Sequence, residues 1–412
     1  MAAGAGGLAP TPPMGWTTWN AYTTHLDQEK VRRAAHALVE KGLAAKGYRY
    51  VNIDSGWQGP RTGKDKAMVA NARFPDMKGL VDEIHGLGLK AGIYSTPMVI
   101  AWGSNDEELF RGSTEWPVDT RYPVTHYGGC GKTRYEGPDA RQWAEWGFDY
   151  LKYDWFPVDV DHVKAMREAL DATGREFVLS LCTECQLTNA ADYVGRAQVV
   201  RGNWDMKDDW KTLKQRAKEG DGWLRHIKPD FRYDLDMLAL GPMTIDRKDG
   251  KPSPNRLTKD EQVLHFLYWV TFPCPLILSC DLLDIDDFTL ALVSNEELIA
   301  LDQDPLGEGA RFTDRPDGVR VARRRLSGGR ILHGFFNFSD ERRTFVEKLP
   351  AKASLRDPHA RRDLGVADAI AVDLAPHAAR LVVAKGWTPS WRTMRRPRPA
   401  SSPRPTRTAR RP

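Results

Sequence analysis

Residues 146–155 read WGFDYLKYDW, and this stretch decides the fold. Its first two residues close a segment of helical periodicity, ARQWAEWG, with a glycine that suits the left-handed position after a helix. The aromatic and apolar run FDYLKYD that follows is typical of a buried strand. A second helical segment, HVKAMREALDATG, comes next. Helix, strand and helix in this order predict one unit of a parallel α/β fold.

The same unit recurs along the first three quarters of the chain, where amphipathic segments such as EKVRRAAHALVEKGLAAKG and WKTLKQRAKE separate short apolar runs. Eight such units over about 300 residues favour a closed (β/α)8 TIM barrel over an open sheet. The predicted strands are PMGWTTW (13–19), YRYVNID (48–54), LKAGIYS (89–95), FDYLKYD (148–154), EFVLSLC (176–182), AQVVRGN (197–203), FRYDLDM (231–237) and CPLILSC (274–280).

The pattern changes after LDQDPLG at 301–307, where VRVARRRL, RILHGFFNFS, RRTFVEKL and AARLVVA follow one another as strands without helices. We therefore predict a barrel domain over 8–307 and a C-terminal antiparallel β-sandwich over 308–386. Residues 387–412 are rich in Arg and Pro and contain almost nothing apolar, so a disordered tail is expected there.

The distribution of charge argues against a nucleic-acid partner. The formal net charge is +5, but eight arginines lie in the terminal tail, and without them the rest of the chain carries −3. A basic binding face would persist without the tail. The alternative, nucleic-acid binding by the arginine-rich tail alone, predicts that truncation after Gly386 abolishes function.

No run approaches the roughly 18 apolar residues that a membrane span needs, so no membrane partner is expected. The amino-terminal MAAGAGGLAPTPPMGW lacks the basic and long apolar regions of a secretory signal. The sequence is compatible with a cytoplasmic protein and with a protein secreted after removal of a leader.

The five cysteines are an odd set in a long chain, so reduced thiols are expected. The sequence does not specify an oligomeric state.

Four aspartates stand at or just after the carboxyl ends of predicted strands: Asp54, Asp154, Asp205 and Asp236. In a TIM barrel those ends open onto one face, so the four carboxylates are expected to converge there. Lys152 and Arg201 also lie at strand ends, where their charges would offset the repulsion. Helix capping by aspartate accounts for one or two members of the set but explains the whole set poorly.

Clustered carboxylates in a barrel mouth serve two chemistries, the binding of a hard cation such as Mg²⁺ and glycoside cleavage by two carboxyl groups. The 14 tryptophans favour a sugar substrate, because indole faces stack on sugar rings, although core packing accounts for many of them. Barrel metal hydrolases usually add histidine ligands, whereas few of the ten histidines here lie at predicted strand ends and no HxH pair occurs. No metal or other cofactor is expected.

An ordered series of motifs makes the chain resemble glycoside hydrolase family 27, the α-galactosidase and α-N-acetylgalactosaminidase family. The resemblance runs from Pro12 to Gly307 and is weaker beyond. Its motifs are TPPMGWTTWN, GYRYVNIDSGW, GLKAGIYS, WGFDYLKYDW, RGNWD followed by DDW, DLDML-x-x-G and LDQDPLG. This resemblance implies a retaining α-glycosidase that acts by double displacement on a carbohydrate substrate without a cofactor.

The resemblance also implies roles for individual residues. Asp154 corresponds to the family's nucleophile and Asp205 to its acid/base, and a double displacement requires their carboxyl groups to lie about 5 to 5.5 Å apart. Lys152 lies on the same strand face as Asp154 and would favour its ionised form. The positions that match the family's sugar pocket are Trp19, Asp54, Tyr94, Lys152, Arg201, Asp236 and Met237.

Three departures from the family pattern concern the pocket. Ser55 stands where the family has a second carboxylate beside Asp54, and the lost charge-assisted hydrogen bond to a sugar hydroxyl would cost about 1.5 to 3 kcal/mol. Cys130 matches the family's pocket cysteine, but Phe156 stands at the position of its disulfide partner. Glu184 lies one residue later than the family's glutamate, in the loop that distinguishes galactose from its N-acetyl form.

The sequence thus predicts hydrolysis of terminal α-galactosyl-type residues, with an α-N-acetylgalactosaminide, a β-L-arabinopyranoside or another α-glycoside as alternative substrates. The rival from another class is a barrel that binds sugar with little or no turnover. The altered pocket favours this rival, whereas the retention of both core carboxylates argues against it.

The long segment 96–128 carries Trp102, Trp116, Tyr122 and Tyr127. We expect this segment either to shape the sugar pocket or to pack on the barrel rim.

Overall fold

The computed structural model describes residues 7–105, 108–125, 128–246 and 251–386. The tail predicted at 387–412, and Tyr127, lie outside these ranges. The first strands in chain order are β1 (Met14–Thr17), β2 (Tyr50–Ile53), β3 (Gln58–Thr62), β4 (Ala67–Ala70), β5 (Lys90–Ser95), β6 (Thr114–Val118), β7 (Gly131–Arg134), β8 (Tyr150–Asp154), β9 (Val178–Cys182), β10 (Val199–Val200), β11 (Arg232–Tyr233) and β12 (Leu276–Leu278).

Eight of the strands in the described ranges form one parallel sheet with the order β11-β10-β9-β8-β5-β2-β1-β12. The sheet closes on itself after β11, where Leu238 forms a parallel bridge to Leu278 of β12. The backbone N–H of Leu238 donates to the carbonyl of Ile277 across this seam, over 2.7 Å. Each of the eight predicted strands contains one of these observed strands, so the predicted TIM barrel is confirmed.

Helices cover the outside of the barrel and largely follow the predicted periodicity. The predicted helical segment ARQWAEWG ends as expected, with Gly147 at φ 94°. The first predicted segment ends earlier than expected, because Gly42 already adopts φ 74°. No helix in the described ranges is both long and apolar enough to cross a bilayer. The helices are α1 (Trp19–Tyr22), α2 (Gln28–Glu40), α3 (Met77–Gly86), α4 (Glu136–Trp146), α5 (Val160–Asp171), α6 (Ala190–Tyr193), α7 (Trp210–Glu219), α8 (Lys259–Thr271), α9 (Asp287–Val293) and α10 (Glu296–Asp302).

Strand β8 shows how the sequence places chemistry inside the barrel. Leu151 and Tyr153 are fully buried in the core between the strands and the helices. Lys152 and Asp154 alternate with them and therefore face the opposite side, where both line a cavity. Two hairpins that the periodicity did not predict, β3–β4 and β6–β7, follow β2 and β5 and therefore lie on the face formed by the carboxyl ends of the barrel strands.

The C-terminal part is antiparallel, as predicted, and its strands pair in the single order β13-β14-β15-β18-β16-β17. One buried cluster contains Val321 and Phe335 from one part of this sheet and Leu355 and Val372 from the other. The long β16–β17 hairpin thus folds back over its neighbours, so one continuous sheet supplies both layers. The strands are β13 (Arg311–Asp314), β14 (Val319–Leu326), β15 (Arg330–Asn337), β16 (Arg343–Asp357), β17 (Arg362–Leu374) and β18 (Ala379–Lys385).

Candidate active site

A small cavity, which we call the upper cavity, opens at the carboxyl ends of the barrel strands. It is lined by Trp19, Asp54, Trp102, Lys152, Asp154, Thr183, Arg201, Trp204 and Asp205. A second cavity lies further toward the amino ends, since Tyr150 at the start of β8 lines it, and it shares Asp54, Lys152 and Arg201 with the first. Asp236 and Met237 also line this deeper cavity. The structure therefore brings the four predicted carboxylates and both predicted cations into two adjoining cavities.

Lys152 lies between two of the carboxylates. Its Nζ donates to Oδ2 of Asp54 over 2.8 Å and lies 3.7 Å from Oδ2 of Asp154. Burial disfavours the ammonium, but the charges of Asp54 and Asp154 keep the pKa of Lys152 well above its usual value. The aromatic ring of Tyr94 lies beneath, with its centroid 5.4 Å from Nζ. Lys152 is therefore a fixed positive charge beside Asp154.

The pKa of Asp154 is raised, first by burial and further by the nearby carboxylates of Asp205 and Asp54. Lys152 and Arg201 oppose this shift through their positive charges. Asp154 and Asp205 line the same cavity, so both carboxyl groups face one enclosed space.

Arg201 holds the other side of the site. Its guanidinium donates from Nη2 to Oδ1 of Asp205 over 2.8 Å, from Nη1 to Asp236, and from Nη2 to the hydroxyl of Thr183 over 2.8 Å. Burial alone would raise the pKa of Asp205, but the charges of Arg201 and Lys152 and the hydrogen bond from Arg201 lower it overall. The side chain of Asp205 is 41% exposed and lies at the open end of the site.

Behind Arg201 lies a further acidic group that the sequence reasoning did not single out. Asp234 lines the deeper cavity, and its Oδ1 accepts the backbone N–H of Asp236 over 2.8 Å. Burial, reinforced by the charge of Asp236, raises the pKa of Asp234 to about 7. Burial also raises the pKa of Asp236. The cavity therefore holds carboxyl groups of clearly different proton affinity.

The other predicted pocket residues lie behind the cavity wall. Ser55 is fully buried, and its hydroxyl donates to the backbone carbonyl of Trp102 over 2.6 Å. Tyr94 is buried under Lys152. Glu184 accepts a hydrogen bond on Oε1 from the indole N–H of Trp204 over 2.8 Å. Ser55, Tyr94 and Glu184 are not among the residues that line the two cavities, so each acts on the pocket through a neighbour.

Cys130 lies apart from the two cavities. It is a buried free thiol, as are the other four cysteines, in agreement with the expected reduced state. The thiol lies within 4.8 Å of ligand atoms of Asp159 and His162, a spacing that could hold a metal ion. However, Oδ1 of Asp159 accepts the backbone N–H of His162, and Oδ2 accepts from Trp155 and from the His162 ring. Hydrogen bonds within the protein therefore already account for this group.

Aromatic residues form one wall of the upper cavity, and the sequence reasoning found this wall only in part. Trp102 comes from the long segment after β5, which therefore does shape the cavity, whereas Trp116 of the same segment is exposed. Phe156, noted only as a missing disulfide partner, stacks on Trp102 with centroids 5.5 Å apart. Trp204 completes the wall. Its position immediately before Asp205 in RGNWD was the available signal.

A parallel barrel with paired aspartates, cations and aromatic rings at its carboxyl face has the groups that a glycosidase needs. The sequence model of the family described as alpha galactosidase A (melibiase) matches residues 11–103 and 121–304. Alpha-galactosidase 2 of Arabidopsis thaliana is 32% identical over 334 residues, which cover 79% of this chain and 75% of the relative. The chain belongs to the α-galactosidase family of glycoside hydrolases.

Two solved structures extend the similarity to the whole fold. A family 27 β-L-arabinopyranosidase from Geobacillus stearothermophilus, in complex with arabinose, superposes with a TM-score of 0.80 at 27% identity and covers 93% of this chain and 98% of its own. Alpha-galactosidase I from Mortierella vinacea gives a TM-score of 0.77 at 27% identity, covering 92% and 98%. The family match leaves out 104–120, which lies inside the long segment after β5.

Proposed function

We propose that Asp154 and Asp205 perform a double displacement at the anomeric carbon of a terminal α-galactosyl-type residue bound in the upper cavity. The observation that carries this proposal is that both carboxyl groups line one cavity and each lies beside a cation, Lys152 for Asp154 and Arg201 for Asp205. Two carboxyl groups around one anomeric centre are what a retaining mechanism requires.

In the first step the carboxylate of Asp154 attacks the anomeric carbon while the bond from that carbon to the leaving oxygen breaks. The carboxyl proton of Asp205 goes to the leaving oxygen. In the second step Asp205 takes a proton from water, whose oxygen attacks the same carbon and expels Asp154 as a carboxylate. Lys152 stabilises the negative charge on Asp154 before and after the covalent intermediate. Arg201 favours the ionised Asp205 that the second step needs.

The position of Ser55 supports a second candidate substrate, a β-L-arabinopyranoside. This sugar matches an α-D-galactoside except that it lacks the C6 hydroxymethyl group on C5. Residue 55 is a serine, so Asp54 has no second carboxylate beside it, and the Ser55 hydroxyl is bonded to the carbonyl of Trp102 and does not reach a C6 hydroxyl. The solved arabinopyranosidase relative is a complex with arabinose. The enzyme is accordingly expected to tolerate the absence of C6.

The proposal is tested with p-nitrophenyl glycosides of α-D-galactose, β-L-arabinopyranose, α-N-acetylgalactosamine and α-D-glucose. Asp154→Asn is expected to lose at least about 10⁴-fold in kcat on the best substrate, because no nucleophile remains. Asp205→Ala is expected to release a rapid burst of dinitrophenol from a 2,4-dinitrophenyl glycoside, whose leaving group needs no proton, and then to turn over slowly because the second step lacks its base. On a methyl glycoside it is expected to lose activity altogether. Asp209→Asn, which alters the capping aspartate of α7 outside the cavity, is the control.

Proton NMR of the reaction identifies the anomer released first, which must retain the configuration of the substrate. Release of the inverted anomer, or near-normal turnover by Asp154→Asn, contradicts the proposed roles. A barrel that binds sugar without turnover would show affinity for the glycosides and release no nitrophenol. Such a result would contradict the enzymatic proposal itself.

A further inference from the structure

The mechanism leaves unexplained the aromatic wall of the upper cavity, where Trp102 and Trp204 line the cavity and Phe156 packs against both. The centroids of Phe156 and Trp204 lie 5.0 Å apart at an interplanar angle of 61°, and those of Trp102 and Trp204 lie 6.1 Å apart at 89°. The three rings come from three separate loops, after β5, β8 and β10. They therefore meet only because the barrel brings those loops together at its carboxyl face.

Trp204 combines exposure with a position in the cavity wall. The residue is 41% exposed and lines the upper cavity, whereas Trp116, which is also exposed, does not line it. Edge contacts with two rings, and the 2.8 Å hydrogen bond from its Nε1 to Glu184, fix the indole in place. Trp204 therefore presents a fixed aromatic face at the mouth of the cavity, where a ring of a bound ligand can cover it.

The position of Trp204 identifies that surface. It immediately precedes Asp205 and lines the same cavity, and an acid/base group stands beside the oxygen of the departing group. A ring attached to that oxygen must therefore leave along the side of the cavity on which Trp204 lies. We propose that Trp204 is a stacking platform for the first sugar ring of the leaving group, and that Glu184 is a positioning residue which holds the indole at the right angle.

This inference rests on the proposed function and adds a binding site for the leaving group. The pyranose ring is the favoured occupant because its axial C–H groups form an apolar face that fits an indole, while its hydroxyls remain in the water that reaches the exposed part of Trp204. It also gives Glu184 a different role from the contact with the substituent on the terminal sugar that the family resemblance implied.

The test compares two glycosides of the sugar that wild-type enzyme cleaves best, one with a methyl leaving group and one with a glucose leaving group joined through its C6 oxygen. Both leaving groups are simple alcohols, so only the second offers a ring to Trp204. Trp204→Ala is expected to lower kcat/KM about tenfold more on the disaccharide than on the methyl glycoside, mainly through KM. Trp204→Phe keeps a ring and is expected to retain most of the activity.

Glu184 is tested by its conservative variant. Glu184→Gln keeps an oxygen that accepts the indole N–H and is expected to behave like wild type, whereas Glu184→Ala is expected to share the disaccharide-specific defect. Trp116→Ala removes another exposed tryptophan, 48% exposed on β6, and serves as the matched control. An equal effect of Trp204→Ala on both glycosides, or none on either, overturns the inference. Failure of the wild type to cleave either glycoside would instead overturn the proposed function.

Discussion

Arg201 donates a hydrogen bond from Nη2 to Oδ1 of Asp205 over 2.8 Å. Together with the charge of Lys152, this contact lowers the pKa of the carboxyl group that must deliver a proton in the first step. The protonated form of Asp205 is therefore populated only toward acidic pH in the unliganded enzyme.

We therefore predict that kcat/KM falls as the pH rises from acidic to neutral, because this parameter reports the protonation state of the free enzyme. Arg201→Gln removes the positive charge and should raise the pKa of Asp205, which moves the profile of kcat/KM toward higher pH. A pH–rate profile for both proteins measures the shift. An unchanged profile would mean that Arg201 does not control the protonation of Asp205. Arg32→Gln, at an exposed arginine, is the control.

Replacement of Lys152 by Met should also shift the pH profile. Burial raises the pKa of Asp154, and Lys152 is the main group that opposes this rise, so its loss should leave less of the attacking carboxylate at a given pH and move the profile of kcat/KM to higher pH. The maximum should fall by about 10² to 10³, the usual range for loss of one preorganised charge contact. Lys152→Arg should recover part of it. If Lys152→Met altered thermal stability alone and left the pH profile in place, Lys152 would be merely structural.

Ser55→Asp, which supplies the carboxylate typical of the family, should not improve the hydrolysis of α-galactosides. The Ser55 hydroxyl donates to the carbonyl of Trp102 over 2.6 Å, whereas a carboxylate there can only repel that oxygen. We expect kcat/KM for the galactoside to fall by about tenfold or more, and Ser55→Ala to lose about fivefold, equivalent to one hydrogen bond of about 1 kcal/mol. A gain of galactosidase activity in Ser55→Asp would show that position 55 faces the sugar.

The buried ion pair between Arg61 and Asp139 should be important for stability. Both guanidinium Nη atoms of Arg61 bind the carboxylate, over 2.7 and 2.9 Å, and the side chains are 6% and 0% exposed. Arg61→Met leaves the buried carboxylate unpaired and should lower the free energy of unfolding by about 3 to 5 kcal/mol.

Arg141→Met is the matched control for this prediction, because its 3.5 Å pair with Asp65 is exposed and should contribute about 0 to 1 kcal/mol. Urea titrations of the two variants and the wild type measure the difference. Equal midpoints for Arg61→Met and Arg141→Met would contradict the assigned importance of burial.

The barrel could be predicted from the sequence because a buried parallel strand has a local signature. FDYLKYD and its seven counterparts each combine a short apolar run with flanking helical periodicity, and each coincides with a strand of the sheet. The convergence of Asp54, Asp154, Asp205 and Asp236 followed from topology alone, since strand ends of one barrel meet on one face.

The direction of individual side chains could not be predicted in the same way. Ser55 and Glu184 stand at positions that the family uses for the pocket, yet their polar atoms bind Trp102 and Trp204. Those partners lie 47 and 20 residues away, and only the folded chain brings them into contact. The two hairpins β3–β4 and β6–β7 were missed because their strands are short and exposed on the rim, with little apolar periodicity.

The strand ladders that support the two catalytic carboxyl groups differ in length, so the two halves of the site should resist denaturation unequally. Strands β10 and β11, which lead into Asp205 and Asp236, pair over only two residues each, whereas β8, which ends in Asp154, pairs with β9 over five. A shorter ladder opens locally at a smaller free-energy cost. At low denaturant concentration, Asp205 should thus lose its position while Asp154 is still held by its strand. Loss of turnover should therefore precede the change in any spectroscopic signal of the whole chain.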